Sequence, residues 1–272
     1  MSDPFSVLRE VPPTALAATR LQLHHALQVP ASFGPSLLAP RPDWSHLAFT
    51  VDVERGVLWS EPDDRGQRAG LGFEPFAWVV QSATDEASLE VAGHSPEEGR
   101  AWMARTLSLP PNVAALSAPP EGPPAREEGE GPFGVPDARE VRALAAWYVL
   151  AQRLLDGRRG AQGAPALRLW PHHFDLALAF VLDPERDPEH ARTVSLGFSP
   201  GDGSYAEPYV YATPWPIPGP EVALAALPAG HWHREGWTGA VLRATELVAA
   251  ADPFALGDSF LAAAEAGCRA VV

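Results

Sequence analysis

Apolar residues recur at helical spacing near the start of the chain. Leu16, Leu23 and Leu27 fall on one face of the segment from Thr14 to Gln28 and predict an amphipathic helix. The pattern then shortens to alternating or continuous apolar runs, which predict strands over His46 to Val53, Gly56 to Ser60, Phe73 to Gln81 and Ser88 to Ala92. Ser95, Pro96 and Glu98 spell a capping box with proline at the first helical position, so a helix runs from there to about Leu107. Asp137 and Glu140 repeat the acceptor-x-x-Glu cap. Val141, Leu144, Ala145, Tyr148, Ala151 and Leu155 then make one apolar face, and Gly157 closes the helix. Strands follow over Ala166 to Leu182 with a bend at Pro171, Thr193 to Phe198, Pro208 to Thr213 and Trp237 to Leu242. Asp252 and Pro253 open a last helix toward Cys268.

These elements predict an α+β fold made of two helix-flanked, mainly antiparallel sheet units, residues 1–109 and 135–272. Between Leu109 and Val135 seven prolines accompany Glu127, Glu128 and Glu130 without apolar periodicity. Residues 110–134 therefore read as a linker or surface loop, the most mobile internal segment expected. Wording recurs across the halves: AFTVDVER (48–55) echoes AFVLDPER (179–186), and FEPFAW (73–78) echoes AEPYVY (206–211). An internal duplication explains the echo, as does chance similarity in a biased composition.

That bias is plain. Lysine is absent, Asn112 and Ile217 are single occurrences, and Ala, Pro, Gly and Arg are in excess, the signature of a GC-rich genome. The net charge of -14 removes the basic footprint that neutralises phosphate backbones, so no nucleic-acid partner is expected. The opening MSDPFSVLRE has no basic or apolar signal region and no run is long enough to span a bilayer, which predicts a cytoplasmic chain with no membrane partner. The single cysteine, Cys268, excludes an intrachain disulfide and reads as buried filler.

Candidate chemistry concentrates between Leu169 and Trp215, in LWPHHFD, GFSPGDG and EPYVYATPW. Strand alternation places His173 and Asp175 on one face, with Asp202 and Glu207 arriving from the strands that follow. An imidazole among carboxylates either binds a divalent metal or works as an acid-base pair whose His is oriented by Asp. The alternative is a satisfied core histidine beside a carboxylate that accepts backbone amides. Tyr209 and Tyr211 share a face, where they either stack on a planar ligand or pack as core. His24 and Gln28 lie four apart on the first helix, so they either close a pocket over the His173 strand or occupy the helix edge. Ser199, Pro200, Gly201 and Asp202 have the order of a tight turn; a phosphate cradle is the weaker reading, with no lysine to support it. His231 and His233 have the spacing of an imidazole pair on one strand face, able to ligate zinc or iron, whereas Gly230, Arg234 and Gly236 around them suggest a surface loop. There is no GxSxG, HExxH, GxGxxG or P-loop signature.

LWPHHFDLAL, GFSPGD and EPYVYATPW, with Leu23, His24 and Gln28 in TRLQLHHALQ, resemble an uncharacterised family of bacterial proteins catalogued as a domain of unknown function. The likeness covers nearly the whole chain. It departs at His172, where the family carries an acidic residue, and in AGHWHREGW (229–237). The resemblance implies positions and no reaction.

The expectation is a small-molecule-binding protein or an enzyme, with catalytic candidates His173, Asp175, Asp202 and Glu207 and ligand-binding candidates His24, Gln28, Tyr209 and Tyr211. The rival is a non-catalytic interaction or scaffold protein, in which those groups are internal hydrogen-bond partners. Nothing in the sequence singles out a substrate or an oligomeric state.

Overall fold

The computed structural model describes residues 6–109, 131–160, 165–187 and 190–272, together with Pro123 and Arg126. Most of the expected linker, residues 110–134, therefore lies outside the described residues. The rest is α+β, helices with antiparallel strands, in two compact units. No helix among the described residues is long and apolar enough to cross a membrane.

The first unit comprises Ala17–Ala145 and Arg168–Phe174. Along the chain it holds α1 (Ala17–Ala31), α2 (Gly34–Leu37), β1 (Phe49–Asp52), β2 (Val57–Ser60), β3 (Arg68–Gly72), β4 (Ala77–Gln81), β5 (Glu86–Glu90), α3 (Pro96–Thr106), the start of α4 (Ala138–Arg158) and β6 (Arg168–Trp170). Its strands lie in the order β6-β1-β2-β3-β4-β5. The Ser95–Glu98 capping box forms as expected, with both reciprocal hydrogen bonds present. Strand β3, in the sequence RAGLG, and the short α2 are elements the apolar pattern misses. A Cβ on Gly70 would stand 2.8 Å from the Trp59 indole, so the glycine makes room for that buried ring, which Arg68 covers at 4.3 Å. Trp78 of β4 is fully buried; its indole N–H donates to the Ala26 carbonyl at 2.9 Å, and Phe133 meets it edge-on. Here too a glycine admits the ring, since a Cβ on Gly99 of α3 would stand 2.6 Å from it.

The second unit takes residues 6–16, Ala146–Leu167 and Asp175–Val272. The rest of α4 leads to β7 (Asp175–Val181), β8 (Thr193–Ser199), β9 (Tyr209–Trp215), β10 (His231–His233), β11 (Gly239–Arg243), α5 (Ala244–Ala249) and α6 (Pro253–Arg269). The order is β10-β11-β9-β8-β7. Val194, Leu196 and Phe198 are buried on one face of β8, where Trp147 stacks on Phe198 and Tyr148 meets it edge-on. The alternate residues Ser195, Gly197 and Ser199 point to the opposite face. Register carries Tyr209, Tyr211 and Val241 to that second face, and with them His231. Cys268 of α6 is buried, and burial pushes its thiol up to about 12, which suits packing rather than nucleophilic use.

The expected internal duplication is not confirmed. The echoed residues fall on β1 and β4 in one unit and on β7 and β9 in the other. Strands β2 and β3 separate the first pair, whereas only β8 separates the second. One echoed pair therefore runs antiparallel and the other parallel.

The contact of α3 with β4 supplies a test. Gly99→Ala gains about 1 kcal/mol of helix propensity, but Trp78 is fully buried and anchored to Ala26, so overpacking at about 1–3 kcal/mol is expected to dominate. The melting temperature of Gly99→Ala should fall; a rise would mean that the Trp78 ring has room to move.

Candidate functional site

The LWPHHFD stretch does not continue as one strand. The bend expected at Pro171 is a full turn over residues 171–174 between β6 and β7, closed by Phe174 N–H donating to the Trp170 carbonyl at 2.7 Å. Alternation therefore does not carry His173 onto the face of Asp175. His173 is exposed, its ring 4.3 Å from that of His172. Phe174 sits at φ 58, a left-handed conformation rare for an aromatic residue, with its ring stacked on His24.

What holds this turn is the pair on α1. His24 Nε2 lies 2.8 Å and Gln28 Nε2 2.7 Å from the same oxygen, the Pro171 carbonyl. Because a carbonyl only accepts, His24 carries its proton on Nε2. Burial holds the His24 pKa down at about 3, with Arg20 and His25 pushing the same way and the Pro171 carbonyl opposing. The i, i+4 spacing brings both side chains to one acceptor, and that acceptor is the backbone of the motif.

In the second unit the remaining candidates form a ladder. Asp175 opens β7 and is buried; Tyr211 donates to its Oδ2 at 2.5 Å. To reach it, the Tyr211 ring crosses β8 over Gly197, where any Cβ would strike the ring. Tyr209, also buried, donates to Asp202 Oδ2 at 2.5 Å. Burial is the largest cause raising the pKa of both tyrosines, with the Asp175 and Asp202 charges adding to it, so they stay protonated donors. Asp202 also organises a turn over residues 202–205, just past the expected Ser199–Asp202 turn, accepting at Oδ1 from Ser204 N–H at 2.7 Å and Tyr205 N–H at 3.0 Å. Glu207 is occupied elsewhere: it accepts from the Thr245 N–H at 2.8 Å and the Thr245 hydroxyl at 3.1 Å.

The ladder reaches the surface through Tyr205. Its ring is 5.1 Å from that of Tyr209, and its hydroxyl lies 2.8 Å from His231 Nε2 and 2.9 Å from His233 Nδ1. His233 Nε2 is 2.7 Å from the Glu235 carbonyl and must be the donor there. In neutral His233, Nδ1 is then an acceptor that takes the Tyr205 proton, which leaves the Tyr205 oxygen to accept from His231 Nε2–H. Burial raises the Tyr205 pKa, Asp202 and Glu235 add to the shift, and Arg243 opposes it.

Trp237 stacks on His233 at 4.3 Å and also lines a cleft of about 220 Å³ with Ile217, Pro218, Pro220, Arg234 and Thr238. Arg234 donates to the Pro220 carbonyl at 3.2 Å and the Val222 carbonyl at 2.6 Å. Its hydrogen bonds go to backbone carbonyls, and no ion pair to a carboxylate is found for it among the described residues.

Two expectations change here. His231 and His233 lie on an edge strand, paired with Val241 and Gly239, and not in a loop. Gly230, at φ 70, brings its backbone against the Val241 carbonyl, so the glycine that reads as a loop signal is what lets β10 pair. Second, no group of three or more His, Cys, Asp or Glu side chains among the described residues could hold a metal, so His173, Asp175, Asp202 and Glu207 do not form the metal set that their types suggested. Sequence reasoning misses Tyr205 and Trp237, because Tyr205 lies 26 and 28 residues from the two imidazoles and only the turn from β10 to β11 stacks Trp237 on His233; Arg234 reads there only as a loop signal. Compared with protein-family models, curated proteins and solved structures, the chain matches none.

Two measurements check these roles. His24 is neutral when folded, so its contribution to stability is complete above pH 6.5 and declines as the pH falls toward 3, by about 1.4 kcal/mol per unit. Urea midpoints of His24→Gln should therefore fall less steeply than wild type between pH 6.5 and 5; parallel slopes would show His24 protonating freely in the fold. Tyr211→Phe removes the donor to a buried carboxylate and should cost about 1–3 kcal/mol. An unchanged melting temperature would mean that Asp175 does not need it.

Proposed function

We propose that this chain is a small-molecule-binding protein whose ligand is a compact organic anion with a planar apolar body, taken up in the cleft beside Trp237. The observation that carries the reading is Arg234: an exposed guanidinium with no carboxylate partner among the described residues, tethered to the cleft wall in a chain of net charge -14. In so acidic a protein an arginine that makes no ion pair among the described residues is a place where a carboxylate ligand would be favoured, because the guanidinium fork matches carboxylate geometry. Trp237, Ile217 and the prolines supply apolar surface for the body of the ligand. A cleft of about 220 Å³ is below the roughly 300–1,000 Å³ of sites for drug-sized ligands, which restricts the occupant to a small molecule.

In this reading Tyr209, Tyr211, Asp175 and Asp202 support the site from within. The reading keeps the expectations of a cytoplasmic protein that does not meet nucleic acid, and the likeness to an uncharacterised bacterial family. The second reading, a non-catalytic interaction or scaffold protein, draws on the internal hydrogen bonds of Asp175, Asp202 and Glu207.

Benzoate is a suitable probe, with benzamide as its uncharged counterpart. Benzoate should shift the Trp237 indole resonance saturably, and Arg234→Ala should abolish the shift. Benzamide should bind about tenfold more weakly, the loss of one charge-assisted hydrogen bond. No saturable shift with benzoate, or equal affinity for both compounds, would favour the scaffold reading.

A further inference from the structure

We propose that Tyr205, His231 and His233 bind a single first-row transition-metal ion, with the phenolate oxygen and two imidazole nitrogens as its ligands. This site is independent of what fills the neighbouring cleft. Its donors converge from two separate parts of the second unit. His231 and His233 share a face of β10 because they are two residues apart and paired to Val241 and Gly239 of β11. Tyr205 arrives from the 199–205 turn, its backbone N–H held at 3.0 Å by Asp202 Oδ1. Two imidazole nitrogens then stand 2.8 and 2.9 Å from one phenolic oxygen. Ligand atoms around a metal with bonds near 2.0–2.1 Å are themselves about 3 Å apart, which is the spacing of each imidazole nitrogen from the phenolic oxygen here.

The surroundings of the two histidines suit ligation. The Glu235 carbonyl accepts a hydrogen bond from His233 Nε2–H, which fixes the tautomer whose Nδ1 carries the lone pair a metal would use; this is how ligating histidines are commonly oriented. Trp237 stacks on the same ring and limits its rotation. His231 is exposed, which gives an ion a route in and leaves a coordination position for water. Proton balance is simple: the phenolic proton leaves to solvent as the metal–oxygen bond forms, and neutral His231 moves its proton from Nε2 to Nδ1. With a phenolate as third donor, the set lies outside groups built from His, Cys, Asp and Glu alone, none of which occurs among the described residues. The chain's net charge of -14 favours cation approach.

The test titrates Cu²⁺, and separately Zn²⁺, into the full-length protein. Copper is the tightest binder in the divalent series, and a phenolate ligand gives it a visible charge-transfer band. One equivalent of Cu²⁺ should bind with that band. Tyr205→Phe should lose the band and bind more weakly, and His231→Ala and His233→Ala should each weaken both metals at least about tenfold. Circular dichroism checks that each variant is folded, and His231→Ala, which truncates an exposed side chain, keeps the test decisive if Tyr205→Phe unfolds. The other adjacent imidazoles, His172 and His173, provide the control: replacing both with Ala should leave affinity and band unchanged. Absence of stoichiometric binding, a band that survives in Tyr205→Phe, or loss of binding only in the His172/His173 variant would overturn the proposal.

Discussion

A carboxylate withdrawn from water must be met by hydrogen-bond donors, and in the second unit this requirement governs one face of the sheet. Asp175 is buried at the start of β7, and the donor that reaches it is the hydroxyl of Tyr211, two strands away on β9. A tyrosine can span that distance only by lying across the strand between, so β8 carries glycine at position 197. The same solution recurs one step along, where Tyr209 meets Asp202, and Asp202 in turn shapes the loop that presents Tyr205. The Tyr211, Tyr209 and Tyr205 rings follow one another at 6.0 and 5.1 Å toward the surface, where the row ends at two histidines. A site supported in this way gains its geometry from groups whose rotamers are already determined by packing and hydrogen bonding.

The first unit uses its polar residues for a different purpose. His24 and Gln28 do not face an open pocket; both bond to the Pro171 carbonyl and hold a turn whose last residue has a left-handed backbone. Keeping an imidazole neutral in that position follows from burial, which disfavours the charged form more than the carbonyl favours it. The chemistry-rich stretch from Leu169 to Trp215 therefore divides between two physical tasks: turn-holding at its start, and construction of an aromatic–carboxylate ladder along the rest. Glu207 performs a third, as acceptor for Thr245 beside α5.

At the surface end the two proposed binding features adjoin. Trp237 is common to both features, since it lines the cleft that holds Arg234 and stacks on His233. A metal ion at the imidazoles and an organic anion in the cleft would be mutually favourable, each reducing the electrostatic cost of the other. Neither depends on a reaction being performed there.

Local physical rules made much of the fold legible in the sequence. The Ser95–Glu98 capping box, the α6 start at Asp252, the turn at Gly201–Asp202 and most strands follow from interactions within a few residues, so spacing alone fixes them. The pairing of His24 with Gln28, and of Tyr209 with Tyr211, likewise follows from helix and strand periods. What those side chains touch does not. Whether Gly70 and Gly230 end a strand or permit one depends on a ring or a carbonyl that approaches from another strand. Tyr211, which bonds Asp175, is 36 residues away from it, and Tyr205 is separated from its two histidines by 26 and 28 residues. The sequence by itself determined which residues could carry charge, accept a proton or stack; the tertiary structure decided their partners, because burial and long-range strand pairing choose among acceptors that local sequence leaves equivalent.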